Sequence, residues 1–197
     1  MGFYNHHPIR GVAMKVNPEL EIVEELAKQI LVAARTAPKA KGVDDLVFGL
    51  ITDPEEREKL AQEMEKIAEE KGAAFKFFKR DADNVRNSDA VILISLNFNK
   101  PLGLDCGICG FRCEELVKQE KSSLDFDGPV CGIKLLDMGI ALGSAVAKAK
   151  DLCVDNRIMY TVGVAAKRLN LIKGTVIMGI PLSVKGKNIY FDRPPVK

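Results

Sequence analysis

The chain has 197 residues, enough to bury a hydrophobic core without covalent staples, and reads as one domain. Hydrophobic residues make up 47% and charged residues 28%, and the formal net charge is only +2, so neither nucleic acid nor an acidic membrane surface is indicated as a partner. No apolar run reaches the length of a bilayer span, since the strongest candidate, Gly132 to Val146, is interrupted by Lys134 and Asp137.

Residues 1–16 show no clear period and read as a leader, one that a cloning scar would partly explain because Met14 can serve as a start. They lack the basic-then-apolar layout of a secretory signal, which places the chain in the cytoplasm. They also hold both histidines, His6 and His7. The domain, 17–197, therefore has no imidazole, which excludes Ser-His-Asp triads, Cys-His pairs and His-containing zinc sites. Any acid or base must be a carboxylate, lysine, tyrosine, thiol or a bound cofactor.

Asn17 and Pro18 open a predicted helix in which Val23, Leu26, Ala27, Ile30, Leu31 and Ala34 recur at helical spacing. It should stop before Pro38, leaving Lys39-Ala40-Lys41-Gly42 as a short basic loop. Leu46 to Thr52 predicts a strand, and Asp53-Pro54-Glu55-Glu56 a capped helix start, with Gly72 as the stop. Phe75 to Phe78 reads as a strand, Asp81 to Asp89 as a polar turn, and Ala90 to Leu96 as a central strand apolar on both faces. After the cysteine segment a short helix, Cys113 to Glu120, and a polar loop to Gly128 lead to Cys131. The run Ile133 to Leu152, lined by Gly139, Ala141, Gly143, Ser144 and Ala145, predicts a buried helix, with its small residues suited to a dimer interface. Asp155 then caps a helix ending at Asn170, and Thr175 to Ile180 and Ile189 to Phe191 read as strands.

The chemistry lies in the cysteines. Cys106, Cys109 and Cys113 are spaced C-x2-C-x3-C, with Gly107 and Gly110 after the first two, and Cys131 follows after seventeen intervening residues. Glycine allows the tight turns that point successive thiols at one centre. In a reducing compartment such a cluster indicates a metal or redox site rather than a disulfide framework. All-cysteine zinc sites usually take two separated C-x-x-C pairs, whereas three close cysteines and one remote one suit a [4Fe–4S] cluster, so iron–sulfur is favoured and zinc stays as the alternative. Cys153 falls on the apolar stripe with Val146 and Ala149 and reads as a buried structural residue.

The strings Ala33-Ala34-Arg35-Thr36-Ala37-Pro38-Lys39-Ala40-Lys41-Gly42-Val43-Asp44-Asp45, Cys106 to Phe111, Asp137 to Ala145, Val154 to Met159 and Phe191-Asp192-Arg193 together resemble a family of uncharacterised prokaryotic proteins described as containing a ferredoxin domain. The resemblance implies an iron–sulfur redox role without naming a reaction. A second, weaker similarity is to the nitroreductase fold, whose members bind FMN between two subunits. Ala34 to Lys41 is similar to the loop that approaches the flavin there. The chain departs from that pattern in lacking an arginine-rich opening segment, and in having Lys39 and Gly42 where serine and asparagine are usual.

The expectation is one α/β (α+β) domain, with a mixed sheet flanked by helices in a nitroreductase-like arrangement, forming a homodimer. Cys106, Cys109, Cys113 and Cys131 would hold the metal. Arg35, Lys39, Lys41, Arg157 and Arg193 could hold a flavin phosphate, with Asn156 at a helix start and a cleft near Lys39 and Arg157. Electron transfer is the preferred function. A zinc-stabilised, non-catalytic binding protein and a flavin enzyme with a metal-free dithiol relay are the alternatives.

Overall fold

The computed structural model describes residues 14–191, so His6, His7 and Arg193 lie outside the described residues. Its layering follows from one strand. All seven residues of β2 (Ala90–Leu96) are buried. Successive side chains point to opposite faces, so Val91 and Leu93 enter one core while Ile92, Ile94 and Leu96 enter another. β1 (Leu46–Ile51) pairs along one side of β2, β6 (Val176–Ser183) along the other, and β5 (Asp155–Asn156) lies beyond β6. Leu46 faces Leu96 and Ile51 faces Val91 in the first pair; Ala90 faces Leu182 and Leu96 faces Val176 in the second.

Two helices cover one face of this sheet. α1 (Val23–Thr36) supplies Ala27, Ile30 and Ala34, and α5 (Gly132–Asp151) supplies Met138, Ala141 and Ala145. α2 (Pro54–Lys71), α3 (Phe77–Arg86) and α6 (Tyr160–Arg168) cover the other face around Leu60, Met64, Phe78 and Val162. α2 begins as its sequence predicts, with the Asp53 carboxylate accepting from the Glu55 and Glu56 amides and Gly72 closing the helix at φ 83°. α6 lies unusually close to β6. A Cβ on Gly163 would stand 1.7 Å from the Ile177 carbonyl oxygen, and one on Gly179 would stand 2.0 Å from Val162.

A sheet flanked by helices is therefore as expected, but among the described residues every strand pair is antiparallel rather than mixed. The cause is α3. Where the pattern predicted a strand at Phe75 to Phe78 and a turn at Asp81 to Asp89, the chain forms a 3-10 turn, Ala73–Phe75, and then α3, burying Phe78, Asp81, Ala82 and Val85 at helical spacing. One helix between neighbouring strands returns the chain to make them parallel, whereas two bring it back to the end where β1 finished. The two aromatic neighbours Phe77 and Phe78 imitate a strand, but only Phe78 is buried.

Smaller differences have local reasons. Asn17 adopts φ 54° without a side-chain cap, and a 3-10 turn, Pro18–Ile22, precedes α1. The helix expected over Cys113 to Glu120 is the single turn α4 (Cys113–Leu116). Asp155 and Asn156 lie in β5, not at a helix start, because they pair with Ser183 and Leu182, and α6 begins only at Tyr160. Ile189 to Phe191 is a turn held by the Asn188 side chain, which accepts from the Tyr190 and Phe191 amides. Cys153 is exposed at φ 59°, just past the end of α5, rather than buried along it. Two short strands, β3 (Ser122–Ser123) and β4 (Asp127–Gly128), form a hairpin outside the main sheet. Among the described residues no helix is long and apolar enough to cross a membrane.

The α6–β6 contact is directly testable. Gly163→Ala must push helix backbone off strand backbone and should cost about 1–3 kcal/mol. In a chain of this size that lowers Tm by several degrees, on the order of 2–4 °C per kcal/mol. An unchanged Tm would show that the two elements do not meet this closely.

Candidate metal centre

β2 runs out at Leu96, and the chain then leaves the sheet. The Asn97 amide donates to the Asp45 carbonyl at 2.9 Å and the Phe98 amide to Thr175 Oγ1 at 3.1 Å, so the segment starts from a fixed point. Four residues in the next stretch take left-handed backbone conformations: Gly103, Asp105, Gly107 and Gly110, with φ of 69, 47, 73 and 84°. The Gly110 amide closes a turn onto the Gly107 carbonyl at 2.9 Å, with Cys109 between them. Cys106 is exposed, and Cys109 and Cys113 are half-buried.

Asp105 ties the two ends of the cysteine loop together. Its carboxylate accepts the Cys113 amide at 2.8 Å, its own amide donates to Cys113 Sγ at 3.4 Å, and Arg112 stands 3.4 Å from its second oxygen. The Cys113 amide first, and Arg112 after it, hold the Asp105 carboxyl below its ordinary range.

Cys131 is buried and stands at the start of α5, where its carbonyl accepts from the Leu135 amide. The next residue docks the loop. A Cβ on Gly132 would meet Ile108 Cγ2 at 2.3 Å and Ile108 Cβ at 3.1 Å, and Ile108 lies between Cys106 and Cys109. The contact therefore brings the loop carrying three cysteines onto the residue after the fourth. Among the described residues no three or more His, Cys, Asp or Glu side chains are gathered into ligating geometry. What the fold supplies is a set of four thiols, three on one loop and one at the helix start it packs on. That donor set fits a metal cluster.

The residues expected at a flavin phosphate are engaged elsewhere. Lys39, with only 5% of its side chain exposed, donates to the Ala34 and Arg35 carbonyls at 2.9 and 2.6 Å and closes the C-terminus of α1. Arg35 pairs with Asp44 at 2.6 Å and stacks over Phe48. Although partial burial opposes its ionisation, Asp44 is held below its ordinary range by Arg35 and the Leu46 amide. Lys41 donates to the Leu102 carbonyl at 3.0 Å, which ties the basic loop to the cysteine segment. Asn156 donates to the Val154 carbonyl, and Arg157 lies over the Phe191 ring. Four of these five donate hydrogen bonds within the chain, Arg157 stacks on a ring, and Arg193 lies outside the described residues.

Two residues of α5 organise this region without having been singled out as site residues. Lys134 is 1% exposed and donates to the Val43 carbonyl at 2.8 Å, with its ammonium 2.7 Å from Asp45 and 3.8 Å from Asp137. Asp137 accepts the Ala40 amide at 2.9 Å, while its other oxygen has no hydrogen-bond partner. Their signal was visible as the two charges that interrupt an otherwise apolar run. A cavity of about 270 Å³ opens at the β3–β4 hairpin, lined by Phe98, Lys121, Ser122, Ser123, Asp127, Pro129 and Thr175 among others. Neither Lys39 nor Arg157 lines it.

Comparison with known proteins bears on this arrangement. Residues 127–193 match a family model described as "Uncharacterized protein containing a ferredoxin domain (DUF2148)". An uncharacterized protein of Archaeoglobus fulgidus is 46% identical over 166 residues, covering 84% of this chain and 88% of that one. The chain belongs to this family of ferredoxin-domain proteins. Its fold is that of the nitroreductases. A nitroreductase family protein from Clostridium novyi NT superposes with a TM-score of 0.53 at 16% identity, over 81% of this chain and 73% of that one. An FMN-dependent nitroreductase from Clostridium difficile gives 0.51 at 17%, over 83% and 77%. The NADPH:FMN oxidoreductase of Vibrio harveyi gives 0.53 at 15%, over 93% of this chain but only 66% of that enzyme. At such identities the likeness establishes the fold alone. The ferredoxin-domain family, in turn, indicates an iron–sulfur redox role.

Gly132→Ala tests the docking of the loop. The added methyl must displace Ile108, so amide exchange should rise across residues 105–113 while the protection of β2 and the middle of α5 holds. Unchanged exchange in the loop would show that Ile108 does not seat it.

Proposed function

We propose that this member of the ferredoxin-domain family is an electron-transfer protein in which Cys106, Cys109, Cys113 and Cys131 hold a [4Fe–4S] cluster. The observation that supports the reading is the contact of Gly132 with Ile108, which brings the loop carrying three of these cysteines against the residue that follows the fourth, the buried Cys131. When bound, such a cluster accepts and donates single electrons. The chain's own residues do the rest. Gly107 and Gly110 turn the loop, Lys41 anchors its approach at Leu102, and the N-terminal end of α5 favours negative charge at Cys131.

The cavity beside Pro129, two residues before Cys131, is the place where a small redox partner would sit, with the Phe98 ring as an apolar wall and Lys121 as a cation. No step in this reading passes through FMN, because Arg35, Lys39, Lys41, Asn156 and Arg157 already have partners within the chain. The assembly is a homodimer through the outer face of α5, where Leu135, Leu136 and Ile140 are exposed and Gly139 and Gly143 have open space above them. The native mass in solution should equal two chains; a mass of one chain would remove this part of the reading.

Anaerobic purification with metal and sulfide analysis decides the main claim. The expected sample is brown, absorbs broadly near roughly 400 nm, and contains iron and sulfide. A colourless sample with stoichiometric zinc would instead make the chain a zinc-stabilised binding protein. Bound FMN with all four thiols free would make it a flavin enzyme with a dithiol relay.

A further inference from the structure

The cysteine loop is closed by a residue that is not a ligand. We propose that Asp105 is the positioning residue of the metal centre, fixing Cys113 through a reciprocal pair of hydrogen bonds and setting the charge beside its sulfur. The proposal rests on the iron–sulfur reading only for its second part.

Three observations converge on Asp105. Its carboxylate accepts the Cys113 amide at 2.8 Å while its own amide donates to Cys113 Sγ at 3.4 Å, so one residue grips both the backbone and the sulfur of another eight positions away. Asp105 makes this double grip from a left-handed backbone conformation, φ 47°. Aspartate and asparagine are the residues other than glycine that tolerate this region best. Finally, Arg112 lies 3.4 Å from the free carboxylate oxygen, and the Arg112 amide donates to Glu115, so the far side of the clasp is held as well.

These contacts act on the sulfur in opposite senses. An amide donating to a ligand sulfur withdraws electron density from it and favours the reduced state, whereas a carboxylate charge nearby favours the oxidised one. Position and charge can therefore be separated by choice of substitution. Asp105→Gly keeps the backbone's access to positive φ and removes the acceptor. Asp105→Asn keeps an acceptor oxygen and the tolerance of positive φ and removes the charge.

The first readout is hydrogen exchange at the Cys113 amide in the full chain, which needs no metal. Exchange should speed up at least tenfold in Asp105→Gly and stay close to the parent rate in Asp105→Asn. Equal rates in all three proteins would overturn the positioning role. The second readout is the midpoint potential of the iron-loaded protein at low salt, where Asp105→Asn should raise the reduced-to-oxidised ratio at fixed potential by about threefold, the scale of one unit charge several ångströms away in water. An unchanged ratio would overturn the charge effect. A parent protein that takes up no iron would defeat the iron–sulfur reading, while exchange at Cys113 would still decide the positioning role.

Discussion

The site depends on the absence of one side chain. Gly132 begins α5 immediately after Cys131, and Ile108 occupies the space that any larger residue would fill. Ile is branched at Cβ and stiff at χ1, so making room there takes a rotamer change at Ile108 or a shift of the loop. The loop's own turns orient Cys106 and Cys109, but they do not say where in the protein those thiols go. The Gly132 contact does, and it does so at the helix end where Cys131 is already fixed by the core beneath it.

A buried ionic network holds the same end of α5 to the loop after α1. Lys134 reaches Asp45 and the Val43 carbonyl, and Asp137 takes the Ala40 amide. Removing one partner of such a pair typically costs about 3–5 kcal/mol, because the other charge is left buried and uncompensated. Lys41 then carries the connection from that loop to Leu102, a few residues before Cys106. The basic loop that looked like a phosphate site is thus one side of a brace. Its cations close α1, pair with Asp44 and anchor the cysteine segment, and that is why a nitroreductase fold need not imply a nitroreductase's cofactor here.

Much of this was legible in the sequence. β1, β2, α2 and α5 were readable from period and caps, since each signal was local: an apolar run for β2, the Asp53-Pro54 cap for α2, and small residues at helical spacing for α5. The cysteine spacing named the ligand types, but not that Ile108 and Gly132 join them, because a contact across 24 positions leaves no local pattern. α3 was missed because Phe75, Phe77 and Phe78 mimic a strand, and the helical spacing of Phe78, Ala82 and Val85 runs through charged neighbours. Missing it also hid the antiparallel sheet. Lys134 and Asp137 were noticed only as interruptions of an apolar run, although a buried charge usually marks a partner elsewhere in the fold. Cys153 shows the converse error, for its helical spacing was right but α5 ends two residues before it, at Asp151.

The central claim is that four thiols from two separate segments share one metal centre. The most direct measurement is a crystal structure of anaerobically prepared protein with anomalous data at the iron edge. The account predicts a single four-iron cluster whose irons are bonded, one each, to Cys106, Cys109, Cys113 and Cys131, with Ile108 still seated on Gly132. Iron bound without Cys131, or no iron signal at the loop, would contradict it.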